Sequence, residues 1–320
     1  MKKISIMDII PVIILAIVFV FFAAFSGGTT LAPSNLMNIV TQVLPVAVGT
    51  LGVVFVVSLG STDISIGGNA ALSSTLASYI ACASVPGLFI PLTLIISTAI
   101  GLLVGFIITK FRMPSFMTTL AFLIALKGLL NYTVTVGLAY PPEGTSFIKE
   151  FWFALVVLIV LIVVVYFVFE RSKFGFYCKS IGENERTVSS IGVNVNKIRL
   201  ICFAISGFMA GVFGFITFVR VGGSSNTLCN MMEMKVQMAI FLGGVLVTGG
   251  FSAKLYKVII GSFTIGIIEN GLTIAQVPST ISEAVEGILL VAILIITVTF
   301  NRKGQAKEAE GSKTAEEATT

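Results

Sequence analysis

The residues that could do chemistry in this chain are few, and they lie within or between long apolar runs. The segment 60–69, GSTDISIGGN, sets one acid, Asp63, among the hydroxyls of Ser61 and Ser65 and the amide of Asn69. Further on, Lys127 and the neighbours Glu269 and Asn270 interrupt otherwise apolar runs. The chain has no histidine, which removes imidazole ligands, a histidine general base and a Ser-His-Asp triad. Its four cysteines, Cys82, Cys178, Cys202 and Cys229, lie far apart and imply neither a disulfide framework nor a thiolate metal site. No nucleophile, base and orienting group converge, and no GxxxxGK[ST] phosphate loop occurs. The expectation is a chain with no catalytic residue, metal or cofactor of its own. Hydroxyls, amides and one carboxylate suit the passage of a small, neutral, hydrogen-bonding solute.

These groups are carried by apolar segments of bilayer length. A hydrocarbon core about 30 Å thick needs roughly 20 helical residues, and ten such spans are expected at 7–25, 42–59, 66–83, 88–109, 116–136, 151–169, 200–219, 232–247, 258–274 and 284–300. The expected fold is thus an all-α polytopic membrane bundle filling residues 1–300, with a disordered cytoplasmic tail at 301–320. Sorting Lys and Arg by loop tests the count. With the amino terminus inside, the basic residues at 2–3, 110–112, 171–199, 254–257 and 302–313 all fall on one face, as the positive-inside rule requires. Lys149, Arg220 and Lys235 fall on or near the outer side. Both termini are therefore expected in the cytoplasm, and the net charge of +5 needs no nucleic-acid partner. Lys2 and Lys3, the apolar run and then Ala23, Ala24, Ser26 and Gly27 also fit a signal peptide, although the run is longer than a usual h-region.

Two stretches break the apolar pattern. Segment 60–69 joins two spans without a hydrophilic loop, so Asp63 either caps the next helix or belongs to a pathway through protein-lined backbone. Loop 170–199 is longer than a connector needs. Within it Asn184 fits a helix N-cap, with Glu183 and Glu185 at the helix start and Gly192 placed to end it, so a two-turn helix outside the membrane is expected, suited to docking a cytoplasmic partner. Gly101 and Gly105 form a GxxxG, as do Gly207 and Gly211, with Gly214 beyond. Such faces argue for close helix packing, within a bundle or between copies.

Taken in order, four segments resemble the permease subunits of ribose-type bacterial ABC importers. GSTDISIG is similar to their GxDLSVG signature, and MPSFMTTLAFLIALKGL at 113–129 to their P-x-F-x-x-TLG…RG segment. FGFYCKSIGENERTVSSIGV at 174–193 is similar to their cytoplasmic segment. Glu233, MAIFLGGVLVTGG at 238–250 and IGIIENGL at 265–272 resemble their closing motifs. The resemblance implies a type II importer permease of the bacterial inner membrane, with ten helices and a second copy or paralogue completing the pathway. It further implies an external solute-binding protein that delivers the cargo and a cytoplasmic ATPase that binds the ATP. It places the coupling helix on Gly182, Glu183, Asn184, Glu185, Arg186, Thr187, Val188, Ser189 and Ser190. The implied cargo is a monosaccharide, with nucleosides or a furanosyl autoinducer as alternatives. Ala121 in place of Gly, Lys127 in place of Arg and 185–188 in place of small residues depart from the pattern. A different class, the ion-coupled secondary transporter, would use Asp63, Lys127 and Glu269 as its relay.

Overall fold

In a computed structural model of the chain, residues 6–278, 281–285, 287–288, 291–292 and 295 are described. Eleven α-helices run through Ile274: α1 (Ile6–Phe25), α2 (Pro33–Ser58), α3 (Ile66–Ala83), α4 (Phe89–Phe111), α5 (Ser115–Val136), α6 (Phe151–Val165), α7 (Lys173–Glu183), α8 (Glu185–Ser190), α9 (Val195–Val221), α10 (Met232–Leu242) and α11 (Leu255–Ile274). Among the described residues there is no strand. Among the described residues six helical stretches are long and apolar enough to cross a membrane, judged by length and composition. The chain through Val277 forms one compact unit, and the residues from Pro278 form a second. The expected span 284–300, with Glu286 in it, lies largely outside the described residues, and the tail 301–320 lies entirely outside them.

α9 is the hub, with α2, α3 and α4 packed along it. The glycine repeats explain how α4 and α9 come so close. A Cβ placed on Gly101 would lie 2.5 Å from the Phe203 carbonyl and 2.8 Å from the Gly207 Cα, and one on Gly207 would lie 2.5 Å from the Ser97 carbonyl. Gly105 faces Phe203, Gly211 faces Ser97, and Gly214 faces Ala70 of α3. Both GxxxG faces therefore meet each other inside one chain, where only glycine lets the backbones touch. At the other side of α2, Gly266 of α11 accommodates Val43, and Gly271 accommodates Phe22 of α1.

The eighth expected span needs correction. Helix α10 is 11 residues long, about 16 Å at 1.5 Å per residue, and cannot cross a bilayer. It stops because Gly243 packs against the Lys257 carbonyl, where no Cβ would fit. Gly244 then takes φ +77°, and Gly249 and Gly250 also lie in the left-handed region, which glycine enters without steric penalty. Residues 243–254 are turns and a short 3₁₀ segment instead of helix. By contrast, α2 and α9 begin earlier than expected, α2 with Pro33 at its first position, where a missing N–H is harmless.

Candidate functional site

Two helices begin well inside the depth of the bundle, and their first turns meet. After α2 ends, the Thr62 N–H donates to Ser115 Oγ at the foot of α5 (3.0 Å), whereas Gly68 packs against Leu123 and Leu126. The chain has thus climbed about 16 Å along α5 before α3 completes its first turn. On the other side, Ser224 pairs with Ala139 through two 2.8 Å hydrogen bonds, one backbone to backbone and one to Ser224 Oγ. The chain then turns inward, with Cys229 and Met231 at φ +52° and +58°. It starts α10 where the Cys229 carbonyl and the Glu233 carboxylate lie over Gly67. A Cβ at Gly67 would fall 2.1 Å from Glu233 Oε2, so glycine is what permits this contact. Broken helices of this kind are tolerated at membrane depth because protein surrounds the irregular backbone, and their N-termini carry partial positive charge.

Asp63 is buried in the joint between α2 and α3. Its Oδ1 accepts from the Ser65 N–H (3.0 Å) and the Ser65 hydroxyl (2.6 Å), and its Oδ2 accepts from the Ser206 hydroxyl of α9 (2.6 Å). Its carbonyl accepts from Gln237 Nε2 of α10 (3.3 Å). The residue preceding α3 is Ser65, with no side-chain cap, so the carboxylate makes an Asx-type turn two residues on and ties α2, α3, α9 and α10 together. Asn69 Nδ2 donates to the Ser97 carbonyl of α4 (3.0 Å). Asn69 Oδ1, on the α4 side of α3, and Glu233 Oε2 and Gln237 Oε1 of α10 are buried with no hydrogen-bond partner in the protein.

The charged residues within the spans are paired, but not with one another as a single relay. Lys127 donates to Asn230 Oδ1 (2.9 Å) and sits 3.8 Å from Glu233 Oε1, while Glu269 Oε1 lies 2.5 Å from Lys235 Nζ. The first turn of α10 thus carries Glu233 toward α5 and Lys235 toward α11. Asn270 stands apart from the Asp63 joint. It exchanges two amide hydrogen bonds with Asn35 of α2 (2.9 and 3.1 Å) and reaches Gln42 at 3.4 Å. Ser61 lines a polar cleft of about 840 Å³ that also includes Arg112, Ser115, Glu185, Ser189 and Arg199.

On the basic face, 182–190 is not one helix. Gly182 and Glu183 close α7, and Asn184 caps α8 by accepting from the Thr187 N–H (3.1 Å). α8 carries Glu185, Arg186, Thr187, Val188, Ser189 and Ser190, and Gly192 follows at φ +85°. α7, absent from the sequence reading, is capped by Ser172 and wedges beneath the bundle. A Cβ on Gly182 would lie 2.1 Å from the Ser58 carbonyl and 2.5 Å from the Gly250 nitrogen. Glu183 Oε1 accepts from the Phe251 N–H (2.9 Å), Glu185 pairs with Arg199 of α9 (2.8 Å), and Cys178 and Cys202 touch at 3.4 Å. Ser58 is the last residue of α2, only a few residues before Asp63.

Sequence reasoning passed over Glu233, Gln237, Asn230 and Ser206 as site residues. The first two had a legible signal, since they recur at i and i+4 on a short apolar segment and so share a helix face. Ser206 had none, because it joins the site only through the α3–α9 packing.

No solved structure matches the chain. Among curated proteins, the ribose import permease protein RbsC of Haemophilus influenzae is 28% identical over 274 residues, covering 81% of this chain and 84% of that protein. RbsC of Bacillus subtilis is 27% identical, covering 90% and 91%. The xylose transport system permease protein XylH of Haemophilus influenzae is 25% identical, covering 93% and 98%. These similarities and the multi-pass helical architecture fit a protein of the bacterial inner membrane. Residues 35–294 match the family described as branched-chain amino acid transport system / permease component, and the chain belongs to that family.

Proposed function

We propose that this chain is the membrane subunit of an ATP-driven importer and carries a small neutral solute, a pentose or related monosaccharide, past the joint formed by the α2–α3 turn and the start of α10. The observation that carries the reading is the pair of half-helix N-termini meeting at Gly67 and Glu233, with free acceptors on Glu233 and Gln237. Sugar hydroxyls are donors that such acceptors recognise. The four charges, of which Glu233 is buried and the others half-buried, stand as two pairs, Lys127 with Glu233 and Lys235 with Glu269, so they offer little net field to a charged cargo. The names of the relatives, ribose and xylose permeases, favour a sugar over the amino acids in the family's description. A cytoplasmic ATPase would bind ATP and dock on α8, a second copy or paralogue would complete the pathway, and an external binding protein would supply selectivity. Both chain ends would then lie in the cytoplasm.

The test is uptake into proteoliposomes holding the chain, its ATPase and its binding protein. Labelled ribose or xylose should accumulate only with ATP inside the ATPase-bearing compartment, and labelled leucine should not. Accumulation driven by a proton or sodium gradient without ATP would establish the ion-coupled alternative instead. ATP-dependent uptake of a nucleoside or a furanosyl diester, with no pentose uptake, would keep the importer and replace the cargo.

A further inference from the structure

The polar cleft that Ser61 lines, about 840 Å³ in volume, opens on the basic face where three turns of the chain meet. The joint after α2 supplies Ser61, the turn from α4 to α5 supplies Arg112 and Ser115, and the turn from α8 to α9 supplies Asn194 and Asn196. Two long helices, α5 and α9, start on its wall, and the N–H groups of a first helical turn lack partners within the helix and carry partial positive charge. Asn194 Oδ1 takes the Lys197 N–H (3.0 Å), which leaves those of Val195 and Asn196 outside any hydrogen bond among the described residues. Arg112, at the left-handed end of α4 (φ +52°), makes no ion pair or side-chain hydrogen bond among the described residues. Arg199 gives one of its donors to Glu185 (2.8 Å), so the acid on the wall is neutralised and the Arg112 charge is left over. Ser61 is nine-tenths buried, with 9% of its surface exposed. Its hydroxyl nevertheless has no hydrogen-bond partner among the described residues and borders the cleft. Buried hydroxyls are ordinarily bonded, so this one points to a ligand. The Ser115 hydroxyl accepts from the Thr62 N–H (3.0 Å) and keeps its own proton to donate.

We propose that this cleft binds a small polyhydroxylated phosphate ester, with the phosphate at Arg112 and the first turns of α5 and α9, and the hydroxyls at Ser61, Ser115 and Asn196. Helix N-termini and an arginine together are what an oxyanion recognises, whereas convergent hydroxyl and amide groups orient a sugar. Inorganic phosphate offers the charge without the hydroxyls, an unmodified sugar offers the hydroxyls without the charge, and an anionic lipid headgroup brings acyl chains with both. The consequence of binding rests on the proposed function, since phosphoryl transfer to a hydroxyl is the reaction class that turns a delivered monosaccharide into such an ester. The ester would tie the α4–α5 and α8–α9 turns to Ser61, two residues before Asp63, and hold that joint still. Accumulated product would thereby slow further import.

The full chain in phosphatidylcholine nanodiscs is dialysed to equilibrium against labelled ribose 5-phosphate, with inorganic phosphate and ribose as competitors. Binding should be saturable and about tenfold tighter than for either competitor. Arg112→Gln should weaken it about tenfold and Asn196→Ala about threefold, while Lys173→Gln, which removes an exposed cation elsewhere on the same face, should change nothing. Arg112 and Asn196 are both exposed, so their variants keep the fold and give two independent readings. Affinity unchanged in both, or lowered equally by Lys173→Gln, would overturn the site. Equal affinity for inorganic phosphate would overturn the ester in favour of a free anion, and displacement by phosphatidylglycerol added to the disc would overturn it in favour of a lipid headgroup. In proteoliposomes, ribose 5-phosphate on the ATPase side should reduce ATP-driven uptake by the wild type and not by Arg112→Gln. Full uptake at saturating ester would overturn the brake, whereas absence of uptake with every sugar would overturn the proposed function and leave the dialysis result standing.

Discussion

Replacing Gly182 by alanine should loosen the cytoplasmic unit without unfolding the bundle, and the size of the effect follows from the contact. The new methyl would lie 2.1 Å from the Ser58 carbonyl, where ordinary contact begins near 3.4 Å, so α7 must retreat by about 1.3 Å or tilt. Both neighbours are backbone, the Ser58 oxygen and the Gly250 nitrogen, and neither can rotate aside. Overpacking of this kind costs about 1–3 kcal/mol. The retreat also stretches the charge-assisted bond from the Phe251 N–H to Glu183, worth about 1.5–3 kcal/mol when made to an ionised group. A total near 3 kcal/mol multiplies the population of the opened state by roughly a hundred. Hydrogen exchange on the full chain in vesicles reads this directly. The amides of α7 should exchange about a hundredfold faster in Gly182→Ala, while those in the middle of α9 stay unchanged. Glu183→Gln, which removes the charge and keeps the packing, should give about tenfold. Gly128→Ala should change nothing, because no atom lies within 4 Å of its added methyl. If α7 in Gly182→Ala exchanges within about twofold of the wild type, the wedge carries no strain and the reasoning fails. In the assembled transporter the same variant should hydrolyse ATP without matching uptake.

Asp63 separates charge from hydrogen bonding. Asp63→Ala strands the Ser65 N–H and two buried hydroxyls and should lower stability by about 3 kcal/mol, read as a fall in Tm. Asp63→Asn can keep those bonds by rotating the Ser206 hydroxyl to accept, so it should remain folded, and near-normal uptake would remove the carboxylate's charge from the mechanism. Lys127→Met leaves Glu233 buried without its countercharge and should destabilise by about 3 kcal/mol. Adding Glu233→Gln should restore more than half of that loss, and simple additivity of the two changes in a thermal melt would show that the 3.8 Å pair is not coupled. For orientation, Cys82 is the exposed thiol, while Cys178, Cys202 and Cys229 are buried. An impermeant maleimide should therefore label only Cys82 in intact cells, and labelling of Cys82 confined to inverted vesicles would reverse the topology.

Apolar runs and basic loops made most of the long helices legible, because span length and charge asymmetry are imposed by the bilayer and written locally. Asn184 and Gly192 were legible for the same reason, since a cap and a left-handed stop depend on one residue each. The short α10 was not. The run 238–247 reads as apolar throughout, and what ends the helix is the approach of the Lys257 carbonyl to Gly243, a tertiary contact. The α7 wedge was hidden similarly, because its sequence carries charges at Lys173, Lys179 and Glu183 that read as loop. Only the fold shows that Glu183 bonds the Phe251 N–H and that Lys179 pairs with Glu170. Lys127 and Glu269 stood out in the sequence as charges within apolar runs, but the partners the fold gives them, Glu233 and Lys235, lay on a segment expected to be an ordinary span.

The contacts around Gly182 bear on how force could reach the middle of the membrane. Three backbone stretches share one small volume: 57–63 at the end of α2, 182–183 at the end of α7, and 248–252 after α10. Gly60 rests on the Thr248 carbonyl, Gly249 on the carbonyls of Val57 and Ser58, and Gly250 on the Glu183 carboxylate. The contacts of Gly182 and Gly249 are with backbone atoms, so a displacement of α7 there must move backbone. The first backbone it meets leads to Asp63, which holds Ser206 of α9 and, through its carbonyl, Gln237 of α10. Gln237 is one helical turn from Glu233, which lies over Gly67. A push on α8 by a docked partner would thus arrive at the facing first turns of α3 and α10 after crossing the glycine contacts, the Asp63 joint and the Gln237 amide. Close-packed contacts of this kind favour discrete rearrangement over gradual yielding, as a two-position gate requires.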